Sequence, residues 1–408
     1  IYTGEDTLSL HDALPIWPGQ QLRAVALLRH HARAHAHQEP PAGQRQVAHQ
    51  RVTVVPLVLF QAGAAQPAIQ ALHAVPPPAQ VHQALAHRVE AVPARHHQHR
   101  LFQRRARHAG HAVAVGEPGR PVIMFLHGFP EAAFVWDPLL QHFARPENGG
   151  YRCVAPNLRG YETSSTPHDV KAYRAKFLVQ DIVALIDAEC GTQPLAALVA
   201  HDWGGALAWS LANGHPERLK QLVIINSPHP GPFVQAMRNN PAQQAASAYM
   251  NFLIQPDAAS QLSADGFKKL FGFLRGSNDE LRGTHSLAAR AAPWLTPELE
   301  NRYREVWGHG LEGGLNYYRA SPLRPPCEQD PGAAAIELPP EMLHIAVPTL
   351  VLWAQDDIAL LPCLTQGLDQ HVPDLTLVPL PGATHWVVHE QTERVIEEIS
   401  AVLKPGVQ

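Results

Sequence analysis

The apolar pattern of this chain becomes regular only beyond about residue 114. Pro121-Val122-Ile123-Met124-Phe125-Leu126 is a short apolar run between Gly119-Arg120 and His127-Gly128. Such a run, bounded by turn residues and too short for a helix, predicts a strand buried on both faces of a parallel sheet. Tyr151–Pro156, Leu195–Ala200, Leu222–Ile225, Thr349–Trp353 and Leu375–Leu380 have the same character. Helical spacing runs through Phe177–Glu189, begins again at about Gly204, and closes the chain from about Val388 to Leu403. Strands alternating with helices predict the α/β class: a mostly parallel sheet with helices on both faces. Between Ser227 and Leu343 the alternation stops, and Trp- and Tyr-bearing helical segments predict an inserted helical cap. The expected organisation is therefore a core in two parts, 113–228 and 344–408, with a cap over 229–343.

Residues 1–112 do not share this texture. The stretch 17–113 is dominated by Ala, His, Arg, Gln, Pro and Val. More than half of the 26 histidines precede residue 116, yet no lysine precedes Lys171 and no asparagine precedes Asn148. His-rich tracts can bind metal and Arg-rich tracts polyanions. Here no second ligand type gathers beside the histidines, and stretches such as Arg29–His37 drift without a repeat. A GC-rich gene read in a shifted frame gives this mixture, and Leu8–Ile16 resembles a translated sequencing adapter. The expectation is an atypical segment, non-native or disordered. That would leave the sheet without an edge hairpin. Only His111–Val115 remains to supply a strand, and its Ala/His content is poor strand material. An uncovered edge predicts low solubility.

Composition narrows the partners. A chain of 408 residues exceeds what one compact domain normally needs. A formal net charge of -4 offers no electrostatic footprint for nucleic acid or an anionic membrane. Cys153, Cys190, Cys327 and Cys363 lack CxxC spacing, which predicts free thiols in a reducing compartment. No signal-peptide h-region is present, and apolar runs such as Val52–Phe60 are too short to span a bilayer. These features lead us to expect a soluble, cytoplasmic monomer or homodimer without nucleic-acid or membrane partners.

The candidate chemistry lies at strand ends. Ala200-His201-Asp202-Trp203-Gly204-Gly205 follows an apolar strand and opens a helix. A nucleophile elbow needs small neighbours because the turn crowds its backbones, and Ala200, Gly204 and Gly205 meet that need. The tip is Asp202, a carboxylate suited to attack strained or activated sp3 carbon. A bare helix N-cap would also favour Asp. His127-Gly128-Phe129-Pro130 follows the strand ending at Leu126, the position that supplies one oxyanion N–H in such folds. The expected donors are the N–H groups of Phe129 and Trp203, and the Phe129–Pro130 bond is a candidate cis peptide. Asp357 and His385 follow the last two strands, in the hydrolase order nucleophile, acid, base. His385 would deprotonate water and Asp357 would orient it. Asp356 competes as the acid and His389 as the base.

These motifs, H-G-F-P-E at 127–131, H-D-W-G-G at 201–205 and G-x-x-H-W at 382–386, resemble the epoxide hydrolase branch of the α/β-hydrolase superfamily. The resemblance covers about 116–408. It implies two cap tyrosines that bind the epoxide oxygen and donate a proton. The L-N-x-Y-R element at Leu315–Arg319 assigns one to Tyr318, with Tyr317 as its near rival. The spacing ahead of Pro256 assigns the other to Tyr249. The implied reaction needs no cofactor and no metal, only a small apolar epoxide and water. Haloalkane dehalogenases also use an Asp nucleophile followed by Trp, so Trp203 keeps that reading open. A non-catalytic binding protein on the same scaffold is the third, disfavoured by the retention of Asp202, Asp357 and His385 together.

Overall fold

In the computed structural model the described residues are 98–102, 110–276 and 292–403. The chain divides into two units, one of Ile1–Gln21 with His96–Gln408 and the other of Leu22–Arg95. The architecture below is that of the described residues of the first unit. Expectations for residues 1–97 lie outside them.

The apolar runs become the centre of one eight-stranded sheet in the order β1-β2-β4-β3-β5-β6-β7-β8. The strands are β1 Gln98–Phe102, β2 Gly110–Val115, β3 Val122–Leu126, β4 Arg152–Asn157, β5 Ala197–His201, β6 Leu222–Ile225, β7 Thr349–Ala354 and β8 Leu375–Leu380. All pairs from β4 to β8 are parallel, while β1–β2 and β2–β4 are antiparallel. Every residue of β3 to β7 is buried. Continuous apolar runs are what a parallel sheet covered on both faces requires.

The first strands correct the expectation of a missing hairpin. β1 pairs with β2 in register from Gln98↔Ala114 to Phe102↔Gly110, and β2 pairs with β4 from His111↔Asn157 to Val115↔Cys153. The sheet thus begins at Gln98 rather than near residue 113, and β4 does not lie at an open edge. Strand propensity is weak beside ladder bonding and burial. Ala112, Val113 and Ala114 are buried, and the backbone N–H of His111 donates to Ser164 Oγ. The prediction of low solubility loses its premise.

Helices alternate with the strands: α2 Ala175–Cys190 and α3 Asp202–Gly214 where helical spacing was expected, and α1 Asp137–Phe143, which was not singled out. Between β6 and β7 come α4 Pro230–Asn239, α5 Pro241–Ala246, α6 Tyr249–Leu253, α7 Ala258–Leu274, α8 Pro297–Gly308 and α9 Glu312–Ala320. No strand lies among the described residues of this stretch. α8 has a complete N-terminus: the Leu299 N–H donates to Thr296 Oγ1, Pro297 opens the helix, and Glu298 and Glu300 lie in its first turn. α8 docks on the loop after β3, where Trp307 Nε1–H donates to the Pro130 carbonyl at 2.7 Å. The single helix expected near the C-terminus is two, α10 Val387–Glu390 and α11 Thr392–Leu403, because Gln391 leaves helical geometry at φ -131°, ψ 45°. The four cysteines are free. No helix among the described residues is long and apolar enough to cross a membrane.

Candidate active site

Asp202 sits where β5 turns into α3, with φ at 50°. Residues carrying a Cβ seldom occupy this left-handed region, and they do so where surrounding structure enforces it. The enforcement comes from close packing. A Cβ at Gly128 would overlap the Asp202 side chain, and one at Gly204 would overlap the carbonyls of Leu126 and His127. Gly205 has no room because Ser227 lies against it, and Ser227 Oγ donates to the Asp202 carbonyl at 2.7 Å. The helix opens at Asp202 itself, two residues ahead of the expected start.

The loop after β3 closes on Asp202 from the other side. The Phe129 N–H donates to Asp202 Oδ1 at 2.8 Å, and the Phe129–Pro130 bond is cis. His127 braces this loop. Its Nε2 accepts the Leu158 N–H at 3.1 Å, so its proton lies on Nδ1 and donates to the Gly128 carbonyl at 3.0 Å. Burial pulls His127 down to about 4, which keeps it neutral. Its place is structural support.

His385 and Asp357 meet Asp202 across the sheet's C-terminal edge. His385 Nδ1 lies 2.7 Å from Asp357 Oδ2, and His385 Nε2 lies 3.6 Å from Asp202 Oδ2. Asp357 is buried, yet each oxygen is satisfied. Its Oδ1 accepts the N–H groups of Ala359 and Leu360 at 2.8 and 2.9 Å, and Oδ2 also accepts Asn226 Nδ2 at 2.8 Å. Burial pushes the Asp357 carboxyl up, but His385 and those backbone donors bring it below its ordinary value. Burial likewise pulls His385 down, and the charge and hydrogen bond of Asp357, with the charges of Asp202 and Glu131, lift it to about 9. An ionised carboxylate accepts only, so the proton on Nδ1 is fixed and Nε2 faces Asp202.

The rivals fall elsewhere. It is Asp357, not Asp356, that reaches His385. His389 Nε2 lies 2.8 Å from Glu131 Oε1 and 3.1 Å from the Tyr303 hydroxyl, with its ring stacked on Trp294. Tyr317 donates its hydroxyl to the Arg159 carbonyl at 3.0 Å.

A cavity of about 160 Å³ lies over Asp202, lined also by Trp203, Tyr249, Tyr318, Phe233 and Met250. The Tyr249 and Tyr318 rings stand 6.3 Å apart, and Tyr318 packs edge-on against Trp203 at 5.1 Å and Phe129 at 5.4 Å. Burial, with the charges of Tyr249 and Asp202, pushes the Tyr318 phenol well above its usual value, against a hydrogen bond from the Trp203 side chain. Tyr318 is therefore a neutral hydroxyl at physiological pH. A mostly apolar wall with a few convergent polar groups is the usual form of a small-molecule site. No cluster of three or more metal-ligating side chains is found among the described residues.

Residues 121–392 match the α/β-hydrolase fold family. The chain belongs to that family. The AB hydrolase superfamily protein YfhM of Bacillus subtilis (strain 168) is 33% identical over 296 residues, covering 72% of this chain and 94% of its own length. Epoxide hydrolase 4 of Mus musculus is 30% identical over 298 residues, covering 72% and 76%. Among solved structures, the epoxide hydrolase of Bacillus megaterium in complex with an inhibitor superposes with a TM-score of 0.62 at 27% identity, over 73% of this chain and 98% of that one. A structure from a set of novel epoxide hydrolases from hot-environment metagenomes reaches 0.64 at 32% identity, over 76% and 99%. Within its family this α/β-hydrolase is an enzyme of the epoxide hydrolase-like type.

Several contributors to the site were not singled out by sequence. Asn226 closes the end of β6 at φ 39°, holding Asp357 with its amide N–H and accepting the Ala354 N–H at 2.9 Å. The available signal was Asn226-Ser227 directly after an apolar strand. Glu131 and His201 lie inside the quoted motifs, but only the fold brings them together.

Proposed function

We propose that this α/β-hydrolase opens epoxides to vicinal diols through a covalent ester on Asp202, which water activated by His385 then hydrolyses. The observation that carries this reading is the junction of two sets of groups. Asp202, with His385 and Asp357 behind it, lines one cavity together with Tyr249 and Tyr318.

The epoxide oxygen accepts hydrogen bonds from the Tyr249 and Tyr318 hydroxyls. Asp202 Oδ2 attacks a ring carbon, the carbon–oxygen bond of the ring breaks, and the leaving oxygen takes a phenolic proton. Esterification removes the charge of Asp202, one of the charges that lift His385 to about 9. The imidazolium thereby becomes more acidic and returns its proton to the tyrosinate through water, which leaves Nε2 a base. Water then attacks the ester carbonyl carbon and gives its proton to Nε2. The oxyanion forms at Oδ1, against the N–H groups of Phe129 and Trp203. Collapse releases the diol and restores the carboxylate.

The dehalogenase reading asks the Trp203 indole to hold a halide. Against it stands the Tyr249–Tyr318 pair, which lines the same cavity as Asp202 and offers two hydroxyl donors suited to an epoxide oxygen.

The test is to incubate the full chain with styrene oxide and, separately, 1-bromobutane, and to assay diol and bromide. Diol without bromide is expected. Bromide without diol would transfer the enzyme to the dehalogenases. Asp202→Asn should form no ester by intact mass.

A further inference from the structure

The cavity over Asp202 does not stop at the reacting groups. It follows α3, where Trp203, Ala206, Ser210 and Asn213 line it in turn. Their spacing of three, four and three residues places them on one face of the helix. All four stay half-buried, while the residues between them, from Gly204 to Ala212, are buried. At about 1.5 Å per residue this face runs roughly 15 Å from Trp203 to Asn213. The volume of about 160 Å³ matches only about six to eight carbon atoms. The space is therefore a narrow slot, and the wall opposite α3 decides how long a chain it takes.

That wall comes from the chain between α9 and β7, residues 321–348. It holds no α-helix and no strand, only a 3-10 turn at Pro340–Met342. Ile336, Leu338 and Met342 line the slot. Two side chains from neighbouring helices pin this strap by its carbonyls. Asn213 Nδ2 donates to the carbonyls of Glu341 and His344, both at 2.9 Å, which engages both of its amide hydrogens. Arg238, in α4, donates from Nε to the Ala334 carbonyl at 2.9 Å and from Nη2 to the Ile336 carbonyl. Irregular backbone has no ladder of its own, so its carbonyls depend on such donors. Arg238 itself does not line the slot. Among the described residues no lysine or arginine lines it, and its one histidine, His229, is kept neutral by burial, which pulls it down to about 3.

We propose that the strap 321–348 is a chain-length gauge: the substrate is a neutral epoxide with an unbranched alkyl tail laid along α3, and Arg238 fixes how long that tail can be. The substrate so named rests on the epoxide reading above. A tail seated in the slot buries one methylene after another, each worth about threefold in kcat/KM. The gain ends where the strap leaves no room. With Arg238 replaced, the Ala334 and Ile336 carbonyls lose their donors, the strap yields, and longer tails fit. A terminal carboxylate finds no cationic partner in the slot and would shed its hydration unpaired.

The test measures kcat/KM for the terminal 1,2-epoxides of butane, hexane, octane, decane and dodecane. In the wild type it should rise about threefold per methylene to the octane epoxide, whose tail has six carbons beyond the ring, and then fall. Arg238→Met keeps an apolar stem without the donors and should raise the dodecane-to-octane ratio about tenfold or more. Ser210→Trp fills the slot from the α3 side and should lower the octane-to-butane ratio about tenfold or more. 7,8-Epoxyoctanoate, as long as the octane epoxide but ending in a carboxylate, should be about 10²-fold poorer. A preference that keeps rising through dodecane, a break that Arg238→Met leaves in place, or equal use of the acid would overturn the proposal. If Arg238→Met does not fold, Ser210→Trp and the acid decide. Diol from none of these epoxides is a different result, which sinks the epoxide reading. Calorimetry with the unreactive 1-alkanols then reads the gauge alone: affinity that rises to a break at a similar length supports it, and affinity without a break overturns it.

Discussion

His385 and His389 lie four residues apart, and each is hydrogen-bonded to a buried carboxylate, Asp357 at 2.7 Å and Glu131 at 2.8 Å. By sequence they are rivals for one role. What separates them is the remainder of each ring's surroundings. His385 presents its second nitrogen to Asp202 at 3.6 Å, and Asp202 lines the cavity. His389 has the same nitrogen engaged by both Glu131 and Tyr303, and its ring lies flat on Trp294 at 4.5 Å. A histidine–carboxylate pair is therefore not a base in itself. The free nitrogen and what it faces decide.

The comparison breaks most sharply under substitution. His385→Gln should stop turnover by a factor of about 10³ or more and accumulate the Asp202 ester, whereas His389→Gln should cost no more than about tenfold. Asp357→Asn should fall between them, since it leaves the imidazole but frees its tautomer. Equal losses at 385 and 389, measured as diol release, would undo the distinction. A smaller contrast holds for the neighbouring tyrosines. Tyr318→Phe should slow ester formation about 10²-fold by removing a donor to the leaving oxygen. Tyr317→Phe should leave that rate nearly unchanged and lower stability by about 1 kcal/mol, through the lost bond to the Arg159 carbonyl. Rapid-quench kinetics and urea unfolding separate the two outcomes.

The smallest effect is on stability against pH. His385 stands at about 9, above its ordinary 6.5. Its contribution is full below about 6.5 and is lost as pH rises through about 9. Asp357 lies below its ordinary 3.8, so its share is present above about 3.8 and is lost as acid protonates it. The stability gap between wild type and His385→Gln should therefore be open at pH 6 and narrow by pH 10 in urea titrations. A gap that persists at pH 10 would mean that packing, not the ion pair, sets it.

Local pattern made the sheet legible, and global contact explains what it left out. The runs at 122–126, 197–200 and 350–354 are apolar throughout because both faces are covered, so β3, β5 and β7 stand out without any partner in view. The turn at Asp202 was readable from the glycines its crowding demands. β1 was not, and β2 was legible only as the weak candidate His111–Val115, because its Ala and His residues become strand through pairing with β1 and β4 rather than through propensity. The break at Gln391 has no Pro or Gly to announce it. Glu131 meets Tyr303 and His389, and nothing local connects a carboxylate in one motif to a histidine 258 residues further on.

The hydrogen bond from the Phe129 N–H to one oxygen of Asp202 carries a consequence for the isotopic history of the enzyme. It makes the two carboxylate oxygens unequal: Oδ1 is anchored, and Oδ2 faces His385. Under the proposed chemistry Oδ2 leaves with each diol, and an oxygen from solvent takes its position. Oδ1 stays through successive cycles for as long as the anchor prevents the carboxylate from turning over. In heavy-oxygen water the first diol from each molecule would then be unlabelled and every later one labelled. Each active site would hand on the water it captured one turnover earlier.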